Sequence, residues 1–255
     1  MPVILYAVGL ALAALAVRIY LLGSKKALIN WVANSSLFYI MYKRQLAAHH
    51  ASPEFNVTCF ETTILDGAAT VLTIPFLQDN FAYILFDHAT GECAAVDVAD
   101  PQAVLDMWRA LVARRSSPSL PLNLKYILTT HKHFDHAGGN RKLKAVLPNA
   151  TIVGGVLDNV LGSTKQAWHG DELNVGSLTI ETLAVPCHTM MYRNLYQVLG
   201  SLPPSTQVFC GHEYTLNNLS FASYIEPDNV DVQAKACAFS SASRAVLDIV
   251  VVSCR

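Results

Sequence analysis

The twelve residues "TTHKHFDHAGGN", Thr129 to Asn140, place His131, His133, Asp135 and His136 within six positions, directly after the apolar run "LKYIL". Packed for structure alone, each of these polar side chains would need its own hydrogen-bond partner. A metal ion satisfies all of them at once. Imidazole with carboxylate suits zinc, iron or manganese, selected by geometry and supply. Two further histidines, His188 after "IETLAVPC" and His212 after "TQVFCG", each leave the end of an expected strand. Side chains at such ends commonly converge on one site. His188 and His212 are therefore candidate third ligands of two adjacent metal centres. His169 is expected on a turn, and His49, His50 and His88 at the surface or in the leader.

The elements that must position these groups are short apolar runs separated by turns. "ATVLTIPFL", "FAYILFD" and "ECAAVDV" read as strands, and "PQAVLDMWRALVARR" as a helix. After a linker from Ser116 to Asn123, "LKYILTT" reads as a buried strand and "GNRKLKAVLP" as the helix behind the histidine motif. "ATIVGG" and "LTIETLAV" follow as strands, and "MMYRNLYQ" as a helix. Strands first, then a strand-helix-strand unit, predict a layered α/β domain with a sheet at its core. No GxGxxG follows a strand, and Gly138-Gly139 has no Lys-Ser or Lys-Thr partner to cradle a phosphate, so nucleotide binding is not expected.

Composition narrows the partners. The 255 residues carry a formal charge of -1 with scattered basic residues, and 52% of side chains are hydrophobic. That gives no field for nucleic acid and enough apolar material for one substantial core. Six cysteines with no CxxC read as reduced core residues. Residues 3-22 form one apolar run interrupted by Arg18, with Lys25 and Lys26 beyond it. This predicts a membrane anchor whose downstream domain stays cytoplasmic. The absence of acid before Glu54 admits a mitochondrial presequence as the alternative, and a leader without function is the third reading.

From about Ile74 to Val230 the chain resembles the metallo-β-lactamase fold, and more closely the hydroxyacylglutathione hydrolases, the glyoxalase II family. The stretches that carry the likeness are "FLQDNFAYILFD", "AAVDVADP", "ILTTHKHFDHAGGN", "HGDELNVGSLTIETLAVPCHT" and "LPPSTQVFCGHEYTLNNLSFASYIEPDN". HxHxDH marks the broad superfamily; "PCHT" and "FCGHEYT" point to glyoxalase II. The resemblance implies an αββα domain that binds two zinc ions, iron or manganese being alternatives. His131, His133 and His188 would hold the first ion, and Asp135, His136 and His212 the second. Asp135 would also orient the attacking nucleophile, and Tyr214 would contact glutathione. The implied reaction is hydrolysis of S-D-lactoylglutathione to D-lactate and glutathione, a step in methylglyoxal detoxification, by a monomer. The metals would supply the nucleophile from water, so no serine or cysteine nucleophile is required.

The chain departs from that pattern after Thr189. The family continues with another Gly-His, two strands and a "TGDTLF" element bearing the aspartate that bridges the metals, then a basic loop that touches glutathione. Here "MMYRNLYQVLG" follows at once, and roughly forty to fifty family residues are absent. A missing bridging carboxylate leaves the repulsion of two dications unrelieved, and missing strands expose apolar faces. The C-terminus also departs, ending in "LDIVVVSCR" in place of further basic helices. The expected organisation is thus a leader or anchor with linker over 1-60, an incomplete metallo-β-lactamase-like domain over 61-212, and a truncated C-terminal helical region over 213-255. Two rival readings are a persulfide dioxygenase-like iron enzyme and a non-catalytic, membrane-tethered metal-binding relic.

Overall fold

A computed structural model describes residues 36–52, 59–185, 192–203 and 205–241. The chain forms two compact units, Met1–Ala48 and His49–Arg255. Residues 36–48 of helix α1, Ser36–Ala51, are the described part of the first unit. The candidate ligands all belong to the second.

A seven-stranded sheet organises the second unit: β1 Phe60–Ile64, β2 Ala69–Phe76, β3 Asn80–Asp87, β4 Glu92–Val96, β5 Asn123–Leu128, β6 Thr151–Gly155 and β7 Lys165–Ala167, in that spatial order. β1 to β4 pair antiparallel, whereas β4 to β7 run parallel. Parallel neighbours need crossovers, and helices supply the first two. Helix α2, Pro101–Arg115, joins β4 to β5; its N-cap Asp100 accepts hydrogen bonds from the Gln102 and Ala103 amides, and Pro101 occupies the first turn, where no amide is needed. The short α3, Phe134–Ala137, and α4, Asn140–Val146, join β5 to β6. A hairpin of β8 Glu172–Val175 and β9 Leu178–Glu181 forms a second, two-stranded sheet. Helices α5 Thr215–Ile225 and α6 Val230–Ser241 pack on each other at the end of the described chain.

The expected mixed sheet flanked by helices is thus present, and its two faces differ. On one face Leu72, Ile74, Ile84, Ile127 and Ile152 are almost fully buried, and Val104, Trp108, Leu111 and Leu143 of α2 and α4 are buried as well. On the other face Leu85, Tyr126 and Leu128 keep part of their surface, because the hairpin is the only sheet that covers it among the described residues.

Carboxylates hold that hairpin in place. Asp87, fully buried at the end of β3, accepts from the Ser177 amide at 2.9 Å, the Ser177 hydroxyl at 2.8 Å and the Thr90 hydroxyl at 2.5 Å. Glu92 accepts from the Gly176 amide at 2.6 Å and from Lys125 Nζ at 2.7 Å. Only glycine fits position 176, whose φ is +60° and where a Cβ would lie 2.0 Å from the Thr90 hydroxyl.

Several expectations need correction. The anticipated membrane anchor is not supported: no helix among the described residues is long and apolar enough to cross a membrane, and the apolar run 3-22 lies outside the described residues. The membrane partner and the membrane-anchored localisation fall with it. The helix expected from "MMYRNLYQ" is a π-helical turn, Arg193–Val198, followed by a 3-10 turn, Leu199–Ser201. Tyr192, Leu195 and Tyr196 on it are exposed, so no buried stripe holds an α-helical period there. Of the cysteines described, Cys93 is a core residue, Cys59 and Cys210 are half-buried and Cys237 is exposed.

Burial pushes the Asp87 carboxyl up, but the bonds from Thr90 and Ser177 more than offset this and hold it below its ordinary range. A carboxylate so depressed contributes stability above its unfolded-state value, and that contribution is lost as pH falls through the folded one. Asp87→Asn is expected to cost about 1–3 kcal/mol at neutral pH, with the gap to the parent narrowing below about pH 4. Urea unfolding at both pH values checks this.

Candidate metal centre

Strand β5 ends at Leu128, and the motif follows in a tight turn. His133 forms the N-cap of α3 with extended backbone angles, so Asp135 and His136 project from the first turn of a helix. His212 arrives from far along the chain. Its segment lies against the turn between β2 and β3: the Phe81 amide donates to the Gly211 carbonyl at 3.0 Å and the Glu213 amide to the Asp79 carbonyl at 2.7 Å. Residues 80 and 212 form an antiparallel bridge. Behind them Phe209 packs edge-on against Tyr83, whose hydroxyl donates to the Cys210 carbonyl. The approach needs Gly211, because a Cβ there would lie 2.7 Å from Cε1 of His136.

These elements bring ligand atoms of Asp135, His136 and His212 within 4.8 Å of one another. The two Nε2 atoms of His136 and His212 stand 3.0 Å apart, with Asp135 Oδ2 at 3.7 and 3.4 Å from them. His131 Nε2 and His133 Nδ1 also lie 3.0 Å apart, and the ring of His131 is 4.0 Å from that of His136. Four imidazoles therefore form one row.

Hydrogen bonds on the far sides of the rings fix which nitrogens carry lone pairs. His136 Nδ1 lies 2.9 Å from Asp97 Oδ2, and His212 Nδ1 lies 3.2 Å from Asp79 Oδ1. A carboxylate only accepts, so each Nδ1 carries the hydrogen and each Nε2 presents a lone pair. Neutral imidazoles so arranged cannot hydrogen-bond each other. Two nitrogens held at about 2.0–2.1 Å from one tetrahedral zinc ion would be about 3.3 Å apart, close to the spacing here. The donor set therefore fits a divalent metal, with Asp135, His136 and His212 able to hold one ion. Thr130 extends the pattern: its hydroxyl donates to Asp97 Oδ2 at 2.8 Å and receives His131 Nδ1 at 3.1 Å, which turns the Nε2 lone pair of His131 inward.

The charge states of His131, His133 and Asp135 agree with this, whereas His212 without metal takes a proton more readily than usual. Burial and the neighbouring rings of His136 and His133 push His131 down to about 3, so it stays neutral at physiological pH. His133 is lowered too, chiefly by desolvation. Burial raises the Asp135 carboxyl, yet its bond to His212 and the nearby His136 outweigh that and hold it well below the carboxylate range. His212 is raised, first by Asp135 and then, against desolvation, by Asp79.

Tyr214 lies beside this group, its ring stacked on His212 at 5.2 Å and 7°. His188 falls outside the described residues, so the first metal's expected third ligand is not placed. Glu213 and Asp171 stay outside the cluster: Glu213 accepts from the Thr215 amide and Asp171 from the Trp168 amide. Asp97, Asp79 and Thr130 are the site residues that the motif did not name. Asp97 had a signal, as an acid inside the apolar "AAVDVADP", since a buried carboxylate requires donors. Asp79 had none, because its partner lies 133 residues away.

The metallo-beta-lactamase superfamily profile matches residues 96–167. The cytoplasmic hydroxyacylglutathione hydrolase of Arabidopsis thaliana is 35% identical over 204 residues, covering 65% of this chain and 76% of its own. Hydroxyacylglutathione hydrolase-like proteins of Mus musculus and Homo sapiens are 33% and 34% identical over 204 residues, covering 65% of this chain and 69% and 67% of theirs. Since 65% of 255 residues is about 166, about 38 of the 204 aligned positions face no residue of this chain.

Orienting carboxylates behind metal-binding imidazoles typically matter 10–100-fold in metal affinity. Asp97→Ala should therefore weaken zinc binding by about that factor, whereas Asp171→Ala should not change it; competition with a chelating indicator measures both. Because the proton on His212 is held more tightly than usual, zinc must displace it, and affinity should fall as pH drops below neutrality.

Proposed function

We propose that this chain, which belongs to the hydroxyacylglutathione hydrolase-like family of the metallo-beta-lactamase superfamily, is a metal-dependent thioester hydrolase of the glyoxalase II type with a diminished site. Its reaction is hydrolysis of S-D-lactoylglutathione to D-lactate and glutathione. The observation that carries the reading is the pair of inward Nε2 lone pairs on His136 and His212 with Asp135 beside them. Asp135, His136 and His212 hold one ion, and His131, His133 and His188 are the residues for a second. A divalent metal held there would supply a nucleophile from water at neutral pH and polarise the thioester carbonyl.

The chain's own residues then have distinct parts. Asp97 and Asp79 keep the two imidazoles in the metal-accepting tautomer. Asp135, ionised through the whole working range, would orient the attacking water. Tyr214, stacked on His212 and about half exposed, offers an aromatic face and a hydroxyl to the glutathione moiety.

Two observations support a diminished site. The alignment leaves about 38 positions of the relatives without a counterpart, in keeping with the missing segment that would bear the bridging aspartate. Among the described residues the group that could hold a metal is one triad, Asp135, His136 and His212. Purified full-length protein, loaded with zinc and dialysed, is expected to retain no more than one ion per chain. Its kcat/KM on S-D-lactoylglutathione should lie at least about 100-fold below that of the Arabidopsis enzyme assayed in parallel, as expected when a charge-stabilising group is lost. Two tightly held ions with ordinary turnover would overturn the proposal.

A further inference from the structure

Between the half-covered face of the seven-stranded sheet and the β8–β9 hairpin lies a cavity of about 950 Å³. Val71, Tyr83, Leu85 and Leu128 line it from the large sheet, and Leu173 and Ile180 from the hairpin. A dry void of this size would cost more than the whole stability of an ordinary domain, so the space is either wetted or filled. Wetting its apolar walls forfeits the burial that folds a sheet. A volume near the upper end of ordinary ligand sites, with mainly apolar walls, matches a bound organic molecule.

Charge selects the class of occupant. No lysine or arginine is among the described residues that line the cavity, whereas Asp66 and Glu181 are. Among the described lining residues His169 is the one basic side chain, so a carboxylate, phosphate or sulfonate would enter against two acids with a single imidazole to offset them. The polar lining that remains is made of hydroxyls and amides such as Thr182, Ser205 and Thr206, which suit an alcohol or a carbonyl. We propose that this cavity is a binding site for one uncharged aliphatic molecule with a hydroxyl or carbonyl end. None of Asp135, His136 and His212 lines the cavity, although Thr130, which bonds His131, does, so binding is measured without added metal.

The test uses the full chain, without added metal, and the neutral fluorophore N-phenyl-1-naphthylamine. The probe should bind saturably at one site per chain and be displaced by straight-chain alkanols. From hexanol to decanol each added methylene should tighten competition about three- to fourfold. Decanoate should compete at least tenfold more weakly than decanol, and Glu181→Lys should narrow that difference. Leu85→Trp and Ile180→Trp, which fill the cavity from opposite walls, should each weaken the probe at least tenfold with circular dichroism unchanged. Because Glu181→Lys lies on an exposed strand end, it reads out the site even if a filling variant fails to fold. Absence of saturable binding, decanoate competing as well as decanol, or probe binding lost as the chain self-associates would overturn the proposal. So would a well-folded filling variant that binds like the parent.

Discussion

Asp97 is the point at which the sheet passes its order to the site. It follows the last residue of β4, is 2% exposed, and receives the Thr130 amide, the Thr130 hydroxyl and His136 Nδ1 on one carboxylate. To do so its backbone takes φ +53°, a left-handed conformation that costs an ordinary residue about 1–2 kcal/mol. Its own amide meanwhile donates to Leu128 at the end of β5. One side chain thus ties two parallel strands to the helix that follows the motif. Without it His136 could carry its hydrogen on either nitrogen, and the facing lone pairs would no longer be specified.

The architecture around Asp97 divides the labour between two faces. Helices α2 and α4 seal one side of the sheet and keep the parallel strand ends fixed relative to each other. The other side is closed by a hairpin fastened through Asp87 and Glu92, at the end of the strands away from the histidines. The apolar cavity meets the histidine end of the strands at Thr129 and Thr130. Cover is thin over Leu85, Tyr126 and Leu128. The histidine row depends on the sealed side.

Much of this was legible in the chain because it is local. The helix at Pro101–Arg115 is marked by Asp100 and Pro101, and the His131 to Asp135 run announces its chemistry within a few residues. The apolar runs of β2 and β3, separated by turn residues, likewise read as strands. What escaped was set by distant partners. Asp79 gains its role only when His212 is folded against it, and Tyr83 only when the Cys210 carbonyl is. The π-helical turn at Arg193–Val198 lacks the buried stripe that makes an apolar period reliable. An apolar N-terminal run, by contrast, was read from hydropathy alone, and no described helix answers to a membrane span.

The separation of the ligands along the chain has a thermodynamic side. His131, His133, Asp135 and His136 are neighbours in any conformation, whereas His212 joins them across 76 residues from His136. An unfolded chain therefore already offers a metal most of its ligands in one short peptide, before the costly closure that delivers the last. Ion captured there competes with ion held in the folded site, and linkage counts only the difference between the two affinities. Metal should consequently hold the folded form together less strongly than its affinity for that form suggests, and most of its stabilising effect should come through His212.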